Sequence, residues 1–287
     1  MIRIGLTGWG DHDDLYPDAE ARRHKLSAYA KHFSVVEVDS SFYAVQSLRN
    51  YTKWVDETPP GFGFLVKAYQ GMTGHLRGPN PFESRDEMFR AFRESIQPVV
   101  EAGKLTAVLF QYPPWFDCTR ENVGLLRLTK ELMHGLPVAL EFRHQSWFEG
   151  EMRERTLDFM RREGWIHSVC DEPQAGPGSI PAVLAATHPE LTVVRFHGRN
   201  AAGWNQGGSP NWREVRYLYR YSRDELEEWK DKLLQLEQEC AGLCVVFNNN
   251  SGGDAAANAK QMMELLGMEV PDPARDQPEQ LDLFEGG

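Results

Sequence analysis

The chain has 287 residues, a formal charge of −11 and a hydrophobic share of 41%, which suits one large α/β domain with a single core. An acidic balance of this size excludes a surface that coats nucleic acid without regard to sequence or binds anionic membrane, because both need a basic field. No run of about 18 apolar residues marks a membrane span and the N-terminal MIRIGLTGWG is too short and glycine-rich for a signal peptide, so the expected location is cytoplasmic.

In chain order, the first strand candidate is IRIGLTGW (2–9), followed by a helical pattern over 19–33. SVVEVDSSFY (34–43) precedes a helix over 46–57, and FGFLVKA (62–68) precedes a long one over 85–103. LTAVLFQ (105–111) and PVALEFRH (137–144) are followed by helical stretches at 121–134 and 149–164. WIHSVCD (165–171) leads to a short helix near 180–187, LTVVRFHGR (191–199) to one over 223–240, and LCVVFNN (243–249) to one over 255–266. Eight such alternations predict a closed (β/α)8 TIM-type barrel over 1–267, with a doubly wound open sheet as the weaker alternative. Cys118, Cys170, Cys240 and Cys244 show no paired CxxC spacing and are expected as thiols.

Side chains alternate faces along a strand, and a barrel strand sends one set to the helices and the other to the lumen. Val36 and Val38 then oppose Val35 and Glu37; Leu140 and Phe142 oppose Glu141 and Arg143; Val194 and Phe196 oppose Arg195 and His197. The apolar set is assigned to the helices. Extended to the other strands, the pattern places Lys67, Gln111, Asp171 and Asn248 at the polar mouth, with Trp9 following the first strand. Barrel enzymes build their sites on the C-terminal rim of the strands, where all of these residues fall.

The blocks IGLTGWG, VEVDSSFYAV, FGFLVKA, LFQYPPWF, ALEFRHQSW, VCDEP, VRFHGRN and a late FNNN…AAANA, spread from Ile2 to Gly267, resemble the YecE-like family, domain of unknown function 72. The resemblance implies a TIM-type barrel and supplies no reaction. Asp39 stands where that family often has Asn, which adds a negative charge near the mouth.

The predicted mouth carries two kinds of chemistry. Glu37, Glu141 and Asp171, with His144 and His197 nearby, are the candidate catalytic groups, as general acids and bases or as ligands of a divalent metal. Lys67, Arg143, Arg195 and Arg199 are candidates to hold an anion, since guanidinium groups bind phosphate or carboxylate oxygens in pairs. A mutually neutralised network, such as Glu141 with Arg195, is the bland alternative. No HExxH or DxD spacing is present, so a metal stays open. Gln111 and Asn248 complete the substrate-binding set, and Trp9, Tyr43 and Trp147, among the aromatics that follow strands, are candidates to stack a base or sugar ring. The glycine-rich, polar stretch from His197 to Trp212 is the candidate closing element.

From 268 the composition changes to prolines and acids, which predicts a disordered tail over 268–287. Near its end, QLDLF resembles the bacterial sliding-clamp-binding motif, with Gln280, Leu281, Leu283 and Phe284 as the partner-binding residues. Folding back of the same residues onto the barrel is the alternative. Together these readings favour a phosphate-ester hydrolase, nuclease-like, acting in DNA maintenance and recruited by the clamp, on DNA or a phosphorylated small molecule. The rivals are a carbohydrate-active or sugar-phosphate hydrolase using Glu37 and Glu141 as a carboxylate pair, and a noncatalytic small-anion-binding module.

Overall fold

The structure, a computed structural model, describes residues 1–204 and 215–271. Eight parallel strands pair in chain order and close on themselves: β1 (Ile2–Thr7), β2 (Val35–Val38), β3 (Gly63–Lys67), β4 (Leu105–Gln111), β5 (Val138–Glu141), β6 (Ile166–Asp171), β7 (Thr192–Phe196) and β8 (Leu243–Phe247). The seam between β8 and β1 runs five residues long, from Ile2 opposite Leu243 to Leu6 opposite Phe247. The fold is therefore a TIM barrel, and the open-sheet alternative is set aside.

Alternation along the strands sorts the apolar residues into two separate clusters. Val36, Val38, Val66, Val108, Phe110, Leu140, Val194 and Phe247 pack outward against the helices. Val35, Leu65, Ala107, Leu109, Ala139, Ile166, Val193, Cys244 and Val246 fill the lumen. The inner cluster plugs the lower barrel, so polar side chains one step further along β2, β5 and β7 rest on a dry floor. Gly5 marks how tightly the strands close there: a Cβ built on it would lie 1.9 Å from the Val35 carbonyl oxygen.

The crossovers follow the predicted pattern with two differences. The first helical stretch is broken at His24 into Ala19–Arg23 and Lys25–Tyr29, and that over 85–103 is broken at Ile96 ahead of Pro98. No helix forms near 180–187. The β6–β7 crossover contains Gly176, Pro177, Gly178 and Pro181, residues that remove backbone donors or favour non-helical geometry. Its shape is held by side chains instead: Gln174 donates to the Ile180 carbonyl, Thr187 to the Trp165 carbonyl, and His167 Nε2 lies 3.1 Å from the Val183 carbonyl. Met268 and Val270, just past the predicted end of the barrel at 267, also pack against the outer core. Among the described residues no helix is long and apolar enough to cross a membrane.

Candidate active site

Alternation and strand length bring Glu37, Lys67, Gln111, Glu141, Arg195, His197 and Asn248 to one end of the lumen, as the sequence predicts. The centre is Arg195 at the end of β7. Its Nε and Nη2 fork onto the two oxygens of Glu37 at 2.9 and 2.7 Å, and its Nη1 reaches Glu141 at 2.7 Å and Gln111 at 3.3 Å. Arg143 binds both Glu141, at 3.3 Å, and Glu172, in each case through Nη1. Ser168 donates to Glu141 from 3.1 Å. His197 lies with Nε2 3.5 Å from Glu141 and 3.4 Å from Arg195 Nη1, and with Nδ1 3.0 Å from the Asn248 amide. Glu37, Glu141 and His197 are fully buried.

These contacts set the charge states. Burial works against ionisation of Glu141, but Arg195, His197 and Arg143 outweigh it and hold its carboxyl well below the usual carboxylate range. Burial, with Arg195 and Arg143 as like charges, keeps His197 neutral well below its ordinary range, the Glu141 contact notwithstanding. Burial raises Glu172 to about 7, with Arg143 and the Ile180 backbone N–H offsetting part of the effect. The centre is thus a compensated ionic cluster, the kind that costs most when one member is removed.

Lys67 differs from its neighbours. It stands at the end of β3 on the lumen side, partly exposed, with its Nζ 4.7 Å from the centre of the Phe42 ring. Among the described residues its ammonium has no ion-pair or hydrogen-bond partner. Burial first, and Arg195 second, lower its amine below the ordinary lysine range, while Glu37, Tyr217 and Glu141 pull the other way. His75, on the loop after β3, is held neutral down to about 4 by burial and by Lys67, Arg143 and Arg77 around it.

Other predicted residues sit elsewhere. Asp171 lies on the outer face of β6, where Arg199 clamps both its oxygens at 2.9 to 3.1 Å and Tyr221 donates a further bond at 2.6 Å. Arg199 also pairs with Glu225 at 3.2 Å. This second network ties β6 and β7 to the helix Arg223–Glu237 and does not enter the lumen. The register explains it: Ile166 faces the lumen, so Ser168, Cys170 and Glu172 face it too, and Asp171 does not. Those three inward residues escaped the sequence reading, and counting from Ile166 would have found them. His144 lies with Nδ1 2.7 Å from the Ser146 hydroxyl and caps the short turn Gln145–Trp147. Trp147 is buried, stacked 4.1 Å from Phe142 with its indole N–H on the Phe116 carbonyl, so it anchors the loop. Trp9 packs edge-on to Trp54 at 5.1 Å, and Tyr43 is 51% exposed at the rim.

Trp204 closes the other side of the mouth, buried, with the Arg143 guanidinium 4.9 Å from its ring and His197 at 6.3 Å. The predicted closing element, 197–212, includes 205–212, which lies outside the described residues, as does the tail from 272 with Gln280, Leu281, Leu283 and Phe284. A surface cleft lined by Leu48, Phe89, Arg90 and Leu132 lies on the helical exterior and holds none of the mouth residues.

Glu141, Cys170 and His197 each place one potential ligand atom within 4.8 Å of the others. The donor set does not suit a divalent cation. Glu141 is already bonded to two guanidinium groups, so a cation there would have to displace Arg143 or Arg195 from its oxygens.

Residues 3–281 match the family model described as protein of unknown function DUF72. The chain is 60% identical over 285 residues to UPF0759 protein YunF of Bacillus subtilis, covering 99% of this chain and all of that one. It is 23% identical to UPF0759 protein YecE of Escherichia coli K12, over 80% of this chain and 82% of that protein. A crystal structure of a DUF72 family protein from Enterococcus faecalis superposes with a TM-score of 0.89 at 37% identity, covering 98% and 100% of the two chains. One from Thermotoga maritima gives 0.79 at 32%, covering 93% and 99%. A D-psicose 3-epimerase, at 11% identity and a TM-score of 0.51 over 92% of this chain and 99% of that one, shares the fold alone.

Proposed function

The chain belongs to the DUF72 family, and from that premise we propose that it is an enzyme acting on a small anionic substrate, a phosphorylated metabolite, held at the open edge of the barrel mouth. The observation that carries this reading is the contrast between saturated and unsaturated cations. Arg195 spends every terminal donor group on Glu37, Glu141 and Gln111. Among the described residues the Lys67 ammonium has no carboxylate or hydrogen-bond partner, and Arg143 engages both its carboxylates through Nη1 alone. A cation left without a counter-ion in a partly buried place is suited to take one from a ligand. Gln111, partly exposed on the adjacent β4 two residues beyond Leu109, the register partner of Lys67, offers an amide to the same ligand.

In this reading Glu37 and Glu141 orient Arg195 and set the field, because their oxygens are already occupied. Both enzyme expectations that use these residues to activate water, a nuclease-like hydrolase and a two-carboxylate glycoside hydrolase, require one of those bonds to open first. Titration calorimetry of the full chain with inorganic phosphate, ribose 5-phosphate, AMP and ribose tests the proposal. Binding of the phosphorylated probes over ribose, weakened at least about tenfold by Lys67→Gln, is the expected result. Equal binding of ribose, or no effect of the substitution, refutes it.

A second reading is favoured by the QLDLF sequence at 280–284: recruitment by the sliding clamp, which would bring the barrel to phosphate esters in DNA. It predicts that clamp captures the full chain in a pull-down and does not capture a chain lacking 280–284. Equal capture of both removes the DNA-maintenance reading and leaves the anion site untouched.

A further inference from the structure

We infer that Lys67 is a covalent catalyst, whose amine condenses with a carbonyl carbon of the substrate to form an imine. The inference rests on the reading of the mouth as an anionic-substrate site, and names the substrate class as a phosphorylated aldehyde or ketone.

The argument is one of placement. A lysine that serves structure in a barrel mouth pairs with a carboxylate, and two carboxylates line the same lumen: Glu37 on the neighbouring strand β2 and Glu141 on β5, two strands away. Arg195 takes both Glu37 oxygens and one from Glu141, so Lys67 is left against the Phe42 ring. An amine that is partly desolvated and beside another cation is the environment in which a lysine becomes a nucleophile at neutral pH. Its lowered affinity for a proton, caused by burial and by Arg195, agrees with that placement.

The step balances without a further reagent. The neutral Nζ attacks the carbonyl carbon, a C–N bond forms as the C=O π bond breaks, and the proton lost from nitrogen passes to the carbonyl oxygen to give a neutral carbinolamine. That hydroxyl then leaves with a second proton as water while the nitrogen lone pair closes the C=N bond. Counted from the ammonium form, one carbonyl and one ammonium yield one protonated imine and one water. Its positive charge replaces that of the ammonium in the field of Glu37 and Glu141, which favour a cation at this position.

The test is reductive trapping on the full chain. The protein is incubated with sodium borohydride and, separately, dihydroxyacetone phosphate, glyceraldehyde 3-phosphate and ribose 5-phosphate, then analysed by intact mass and peptide mapping. The expected result is a mass gain equal to one probe less an oxygen atom, located at Lys67, in excess over the exposed Lys31, and absent from Lys67→Arg. A Lys67 left unmodified by all three probes, or labelled no more than Lys31, overturns the inference. If phosphate still binds by calorimetry in that case, the anion reading stands and only the covalent step fails; if it does not, both fall. A second measurement is independent of the probe: the pH at which anhydride labelling of Lys67 reaches half its plateau should lie below that of Lys31. Coincident midpoints count against a nucleophilic amine.

Discussion

Arg195 shows how one side chain can be a structural requirement and a functional one. It is 1% exposed and joins β7 to Glu37 on β2, Gln111 on β4 and Glu141 on β5 across the lumen. Removing it leaves two buried carboxylates without their main counter-charge, so Arg195→Ala should cost about 3 to 5 kcal/mol in urea unfolding. Replacing Glu37 by Gln in the same chain should recover part of the loss, since fewer charges remain stranded; strict additivity of the two costs would contradict the network. His167 yields the pH prediction. Burial lowers it to about 4, whereas the unfolded chain takes up that proton near 6.5. The folded state therefore binds fewer protons between these values, and stability present above pH 6.5 is lost as the pH falls toward 4. His167→Gln, which can still donate to Val183 but does not titrate, should shrink the stability difference between pH 7 and pH 4.5 by about 2 kcal/mol. The residue scale is also where the sequence was least legible. Glu37, Glu141, Arg195 and Asn248 follow from alternation, whereas Asp171, expected at the mouth, lies on the outer face of β6 because Ile166 sets the inward parity of that strand.

At the scale of elements, the barrel depends on close strand approach and on capped helices. Gly5 leaves no room for a side chain, because the atom it would meet is a backbone oxygen of the neighbouring strand, which cannot swing away as a side chain can. Gly5→Ala should lower stability by roughly 3 kcal/mol or more, read by denaturant midpoint, and a neutral outcome would mean that β1 and β2 can separate freely. The helix Arg223–Glu237 begins with a reciprocal capping box between Ser222 and Glu225, while Glu225 also receives Arg199 at 3.2 Å and Tyr219 at 2.6 Å. One carboxylate thus caps the helix and ties it to the outer network of Asp171. The strands were legible because each is a short apolar run bounded by turn residues. The β6–β7 crossover was not: a short helix is expected near 180–187, yet the prolines and glycines around it interrupt a continuous backbone ladder, and Ile180, Val183 and Ala185 are buried by an irregular chain.

For the whole molecule, the charge of −11 opposes polyanions. Fluorescence anisotropy with a 20-base-pair duplex near physiological salt should therefore show binding weaker than about 1 µM without clamp present; tighter binding would reveal a basic face that the charge balance does not suggest. What the sequence determined by itself was the number and order of the strands and the identity of most lumen residues, because hydrophobic alternation and strand spacing are local properties written in neighbouring residues; closure of the sheet was decided by the pairing of β1 with β8. Only the tertiary structure decided which charges neutralise each other. Glu37 meets Arg195 across 158 positions, and once Arg195 has claimed both Glu37 oxygens, Lys67 is the cation left over. That outcome depends on distances across the lumen, which exist only after the first and last strands have joined.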